Sequence, residues 1–341
     1  MKKGHQVTMK EIAKRLGVSV STVSRALKDS PELHPETKRK IAEMAKEMNY
    51  QPNLLAQSLR ISRTKTLGVI VPEITSHFFA SCISGIQDFA NKRGYNVMIC
   101  QSNESIELEK ANIKTLVATQ VDALLISLSR ETNHFEHLDE LYQREIPFVL
   151  FDRVQEDMPV TKITFNDQNG AYQVTKHLIE MGCKRVMYVS GPEDLYISKK
   201  RKKGYLQALK EFGIKEDPSL IKVTDLTQEQ NIKVAQEIID MNPRPDGVFC
   251  MIDPLAVDVL THWKSKGIKV PEDMSLAGFT NNPTSAVVEP PLTTVSQPGY
   301  EMGKLSVSHL LDQLEGLASD EPISIVLDTT LVPRKSTGYT G

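Results

Sequence analysis

The spacing of apolar residues along this 341-residue chain changes once. From Thr8 to Met48 they recur every three or four positions: Ile12, Ala13 and Leu16; Val23, Ala26 and Leu27; Ile41, Met44, Ala45 and Met48. That is the period of short helices with one buried face. From Thr66 onward the apolar residues come as continuous runs, LGVIV, YNVMIC, ALLIS, FVLFD, RVMYVS, LIKVT, GVFCM and MSLAGF. Between them lie stretches of helical period, near 77–92, 104–118, 134–143, 170–180, 202–212, 229–240 and 254–266. A last helix is expected over 302–314, with closing strands around ISIVL and TTLVP. Continuous apolar runs separated by helices predict parallel strands covered on both faces. The expected fold class is a small α-helical head followed by an α/β body of two similar subdomains with parallel sheets.

The head is organised by Thr8 to Leu27, TMKEIAKRLGVSVSTVSRAL. Thr8 followed by Glu11 fits a capping box. Gly17 supplies a turn through positive φ, and Ser19 can cap a second helix that carries Val23, Ala26 and Leu27 inward. Two short helices joined by a glycine turn make a helix-turn-helix, whose second helix enters the DNA major groove. Val20, Ser21 and Arg25 fall on the side away from the apolar stripe. Arg25 offers a fork suited to guanine, and Val20 and Ser21 can touch base edges. The short polar residues Thr8, Ser19, Thr22 and Ser24 complete the expected DNA-facing set. A plain helical hairpin with a solvated polar face is the competing reading. A third helix should open at Pro35, with Lys38, Arg39 and Lys40 either at phosphates or simply in water.

Charge supports the nucleic-acid reading. Residues 1–65 hold 14 Lys+Arg against 6 Asp+Glu, a net of +8, and the remainder holds 27 against 37, a net of −10. The whole-chain net of −2 hides a basic head on an acidic body, the distribution of a module that meets polyphosphate. Cys82, Cys100, Cys183 and Cys250 lie far apart, and reduced thiols are expected. The start has no secretory h-region and no apolar run approaches a membrane span, so a cytoplasmic location is expected. No G-x-G-x-x-G, P-loop or G-x-S-x-G occurs, and His134 and His137 have no third metal ligand in sight. Neither a cofactor, nor a metal, nor an enzymatic activity is expected.

After the head comes YQPNLLAQSLR, from Tyr50 to Arg60, where Pro52 stops one helix and Asn53 can cap another of about seven residues. That is too short to be stable alone in water. Its Leu54, Leu55 and Leu59 suit either a linker helix or a wedge that folds in the minor groove. Here the sequence resembles the lactose-repressor family of bacterial transcription regulators. The resemblance rests on T-x-x-E-I-A, GVS-x-STVSRAL and Y-x-PN-x-x-A-x-SLR, and the order of body elements extends it over nearly the whole chain. It implies base reading by Val20, Ser21 and Arg25, and a hinge in which Leu59, beside Ala56, opens the central step of a palindromic operator. The implied organisation is a head over 1–50, a hinge and linker over 51–65, and a periplasmic-binding-protein-like body over 66–341. The chain would cross between subdomains near 152–164, 283–294 and 321–327. No leucine heptad trails the body, so a homodimer is expected rather than a tetramer.

Ligands of open α/β sheets sit beyond the carboxyl ends of strands, and two facing subdomains place that crevice between them. Phe78 and Phe79 follow the first strand and could stack on a flat or sugar-like ligand, or pack in the core. Asp152 and Arg153 end a strand, where a structural role is an equal alternative. Asp253 precedes Pro254 and can be a helix cap. Arg201 stands in the basic run KKRKKGY, which composition alone reads as a solvated face. The resemblance of SGP…R-x-x-GY to the family's effector-binding segment singles out Arg201 as a bidentate partner for a hydroxyl pair or carboxylate. Many relatives have Gly-Phe-Asp at the last strand end, whereas this chain has Gly278, Phe279 and Thr280; Asn281 and Asn282 could supply the acceptors. The leading expectation is an effector-controlled repressor, the effector a sugar or sugar derivative. The alternative is a solute-binding protein with the same body and no DNA role.

Overall fold

The computed structural model describes residues 7–27, 29–50, 63–319 and 321–340. The expectations for Asn53, Ala56 and Leu59 fall outside them. The chain divides into two compact units, Met1–Thr64 and Lys65–Gly341.

In the first unit α1 (Met9–Leu16), α2 (Val20–Leu27) and α3 (Pro35–Glu47) enclose Ile12, Ala13, Val23, Ile41 and Ala45. The Thr8 amide donates to the Glu11 carboxylate at 2.7 Å, and the Thr8 hydroxyl donates to the same group at 3.0 Å. Gly17 takes φ 66°, and the Ser19 hydroxyl accepts from the Thr22 amide at 3.0 Å, which starts α2. Leu27 departs from expectation: it is 38% exposed. The small core is filled before the stripe reaches this last residue of α2.

The second unit is built on two parallel sheets. The larger runs in the order β11-β5-β4-β3-β1-β2, with β1 Thr66–Val71, β2 Asn96–Gln101, β3 Ala123–Ile126, β4 Phe148–Phe151, β5 Lys162–Phe165 and β11 Ser324–Leu327. The smaller runs β7-β6-β8-β9, with β6 Val186–Ser190, β7 Ile221–Val223, β8 Gly247–Cys250 and β9 Ser275–Ala277. An antiparallel pair, β10 Thr294–Ser296 and β12 Thr330–Val332, continues it through bridges Ala277–Thr293 and Thr280–Ser296. Central strands such as Leu124–Ile126 and Val248–Cys250 are wholly buried, as their apolar runs require.

The chain changes sheet after Phe165, between Ser296 and Gly299, and between Leu327 and Thr330. Each place lies just beyond the expected crossing. The strand KITF, with Lys162 and Thr164 between its apolar residues, gives no continuous run, so 162–165 read as connection instead of as a member of the first sheet. A second departure concerns the helix expected from Lys202, which begins at Tyr196 and ends at Glu211. Its buried face is Ile197, Ser198, Arg201, Gly204, Tyr205, Ala208 and Leu209, a regular stripe with an arginine in it. That arginine hid the first turns.

Helix pairs that flank the sheets approach by backbone contact. The helix His77–Lys92 packs on Gly299–Leu314, and a methyl added at Gly303 would lie 2.0 Å from the Cys82 carbonyl oxygen. Gly303→Ala should therefore lower the stability of the body by about 1–3 kcal/mol, read from chemical denaturation, because the helices must part. An unchanged midpoint would show that the contact yields without cost.

Candidate functional site

The head presents one polar surface. On α2, Val23 is fully buried while Val20 is 40% exposed and Ser21 and Arg25 lie open to solvent; Thr22 and Ser24 are partly buried at the flanks. Thr8 and Ser19 are exposed at the starts of the first two helices. The Ser19 hydroxyl is 2.7 Å from that of Ser21 and 2.8 Å from that of Thr22, so these side chains are mutually oriented. Arg25 pairs with Glu32 at 3.3 Å, with both side chains more than half exposed. Lys38 pairs with Asp29, Arg39 with Glu43 and Lys40 with Glu36. Arg25–Glu32, Arg39–Glu43 and Lys40–Glu36, more than half exposed on both sides, contribute little stability. Phosphates or base edges can replace the carboxylates at small cost.

The body holds a cleft of about 610 Å³ lined from both subdomains, a size suited to one small molecule. Seven of the candidate ligand residues line it: Phe78, Phe79, Asp152, Arg153, Arg201, Thr280 and Asn282. Phe78 and Phe79 meet edge to face at 5.2 Å between ring centres; Phe79 is buried and Phe78 half-buried, so Phe78 has the freer ring. Asp152, at the end of β4 with φ 59°, is buried, and among the described residues its carboxylate receives no hydrogen bond. Its nearest charged partner is Arg153 Nε at 4.0 Å. Burial pushes the Asp152 carboxyl up to about 7 against the pull of Arg153.

Arg201 is not the open fork expected. It is 1% exposed, with Nε and one terminal nitrogen each 2.8 Å from Asp167 Oδ1. The other terminal nitrogen donates to the Met251 carbonyl, and a weaker bond reaches Gln297 Oε1 at 3.4 Å. Its guanidinium carbon lies 3.8 Å from the centre of the Phe279 ring. Of its five N–H groups one is left for a ligand. Asp167 itself is held up by burial despite Arg201.

Asp253 and Asn281 do not line the cleft. Asp253 is wholly buried and accepts from Thr294 at 2.6 Å, Asn282 N at 2.7 Å and Ser285 at 2.8 Å, so it fastens the loop after β9 instead of facing a ligand. Burial raises it to about 6. Asn281 accepts from Arg334 at 2.7 Å, while Asn282 does reach the cleft. Residues absent from the expectation are Glu104, Arg130 and Gln297, which line the cleft, and Asp167 behind Arg201. Asn166-Asp167 after KITF was a readable helix start once that strand is recognised. Gln297, between a three-residue strand and Pro298, carried no signal.

A helix-turn-helix head and a two-subdomain body around a ligand-sized cleft define a DNA-binding regulator controlled by a small molecule. The profile of bacterial regulatory proteins of the lacI family matches residues 8–53, and that of the periplasmic binding protein-like domain matches 175–337. The regulator RegA of Clostridium saccharobutylicum is 32% identical over 97% of this chain and 99% of its own. The repressor CytR of Escherichia coli is 33% identical over 97% and 96%. Among solved structures, the transcriptional regulator CelR–cellobiose complex matches at a TM-score of 0.74 and 27% identity, over 97% of this chain and 100% of that one. The Lac repressor dimer bound to operator and anti-inducer matches in fold at 0.87 and 23%, over 98% and 99%. The chain belongs to the lacI family of bacterial regulatory proteins and is a DNA-binding transcriptional regulator. The solute-binding alternative is not favoured, since the DNA-binding head is part of the match.

The Asp152 environment makes a prediction about pH. A carboxyl raised from 3.8 to about 7 in the fold favours the protonated form. Its contribution is complete below pH 4 and is lost as pH rises through 7, at about 1.4 kcal/mol for each pH unit between the two values. Asp152→Asn should therefore melt near the wild type at pH 4 and gain on it as pH rises, to stand several degrees above it at pH 8. A variant that melts lower at pH 8 would show that the ionised carboxylate is stabilised by the fold.

Proposed function

We propose that the protein represses transcription in the cytoplasm as a homodimer on palindromic double-stranded DNA. In this reading the head, 1–50, reads the operator, 51–65 form a hinge and linker, and the body, 66–341, binds an effector and the second copy. Val20, Ser21 and Arg25 contact base edges, Thr8, Ser19, Thr22 and Ser24 support them at the backbone, and Asn53, Ala56 and Leu59 act at the minor groove. The observation that carries the reading is Arg25, on the open face of the second helix and, among the described residues, paired with no charge but an exposed glutamate. The effector is a sugar or sugar derivative held among Phe78, Asp152, Arg201 and Thr280; the complex of the relative CelR with cellobiose supports this class. The cleft binds its ligand without turnover.

Arg25→Ala should weaken binding to an operator, selected from random-sequence DNA, by about 1–3 kcal/mol, and weaken binding to unrelated DNA far less. Wild-type affinity should fall steeply with salt as counterions are displaced. Equal losses on both DNAs, measured by fluorescence anisotropy, would place Arg25 at phosphate only.

A further inference from the structure

We infer that the cleft accepts an uncharged, hydroxyl-rich ligand and rejects the phosphorylated form of the same molecule. The inference rests on the reading of the cleft as the effector site. A bound phosphate needs cations or amides that nothing else has claimed. The described lining has three arginines and no lysine. Arg201 is spent on Asp167 at 2.8 Å. Arg153 donates to Glu104 at 2.6 Å, and Arg130 donates to the Asp225 carbonyl at 2.6 Å. Against them the lining includes Glu73, Glu104 and Asp152. Arg153 and Arg201 are paired with Glu104 and Asp167, and the charge of Arg130, held by a carbonyl, is outweighed by Glu73 and Asp152, so the lining has no net positive field for a dianion and Asp152 would repel it across a partly dry space. Arg130 and the start of the helix His77–Lys92 are the parts of the lining that favour an anion, and Glu73 lies on the loop before that helix.

The groups still free are those a hydroxyl satisfies. The Asp152 carboxylate awaits donors, while Gln297 Nε2 and Arg153 Nε, buried on residues that line the cleft, have no hydrogen-bond partner among the described residues and await acceptors. Arg201 adds its remaining N–H. A hydroxyl both donates and accepts, so neighbouring hydroxyls can bridge Asp152 to Gln297 and Arg201, with an apolar sugar face on Phe78. At pH 8, where Asp152 is mostly ionised, a phosphate dianion only accepts and would leave Asp152 unmatched.

The test uses the full-length protein at pH 8 and matched pairs: glucose and glucose 6-phosphate, ribose and ribose 5-phosphate, sucrose and sucrose 6-phosphate, uridine and uridine 5′-monophosphate, with inorganic phosphate alone. Melting shifts find the binding pair and calorimetry gives both dissociation constants. The neutral member should bind on the order of a hundredfold more tightly than its phosphorylated partner. Glu104→Gln, which frees Arg153 and removes a negative charge, should narrow that ratio at least tenfold. A phosphorylated member or phosphate itself binding as tightly as any neutral one overturns the inference, and so does a panel in which no neutral member binds. A neutral ligand that binds Phe78→Ala undiminished and leaves operator affinity unchanged would instead overturn the effector-site reading.

Discussion

The body depends on one buried ion pair. Arg201 and Asp167 are both about 1% exposed, and removing two charges from water costs several kcal/mol for each ion unless geometry returns it. Here two guanidinium nitrogens meet Asp167, a third bond goes to the Met251 carbonyl, and the Phe279 ring covers the cation. The pair's position matters more than its strength. Asp167 opens the helix that follows the first sheet change, and Gln297 stands at the second. The guanidinium therefore ties two of the three strand crossings to the floor of the cleft. A ligand that uses its last N–H, or the unpartnered Nε2 of Gln297, acts on the segments about which the two sheets would close.

That arrangement gives the family's control a physical route in this chain. Helix pairs in backbone contact, at Gly303 and at Gly204, make each subdomain a rigid block. Rigid blocks joined by three crossings move mainly at those crossings, so a small change in the cleft is expressed as a change in their relative angle. The head stabilises itself through its own core, and its surface charges have carboxylate partners that are easily exchanged. The energetic separation is clear: tightly committed charges in the body, loosely committed ones in the head.

Much of this was legible in the sequence because period is a strong signal. The three head helices, Gly17 and the order of strands and helices followed from apolar spacing, and Phe78, Phe79, Asp152, Arg201 and Thr280 were placed where the cleft lies. What escaped has specific causes. The strand at 162–165 alternates polar and apolar residues, so no continuous run marked it. The helix from Tyr196 carries an arginine in its buried stripe, which broke the pattern and concealed Asp167 as its partner. Asp253 was open to two readings, a helix cap or a ligand group, and the three donors that occupy it, from Asn282, Ser285 and Thr294, arrive from distant positions that spacing does not reveal.

Ligand occupancy of the cleft should reach the DNA through the Arg201–Asp167 clamp. The most direct measurement is operator affinity by fluorescence anisotropy, with and without a saturating sugar identified by melting shift, for the wild type and for Asp167→Asn. The wild type should change its operator dissociation constant on the order of 5- to 150-fold between the two conditions. Asp167→Asn should still bind operator and sugar, with the ratio reduced towards one. An undiminished ratio in Asp167→Asn would contradict the account.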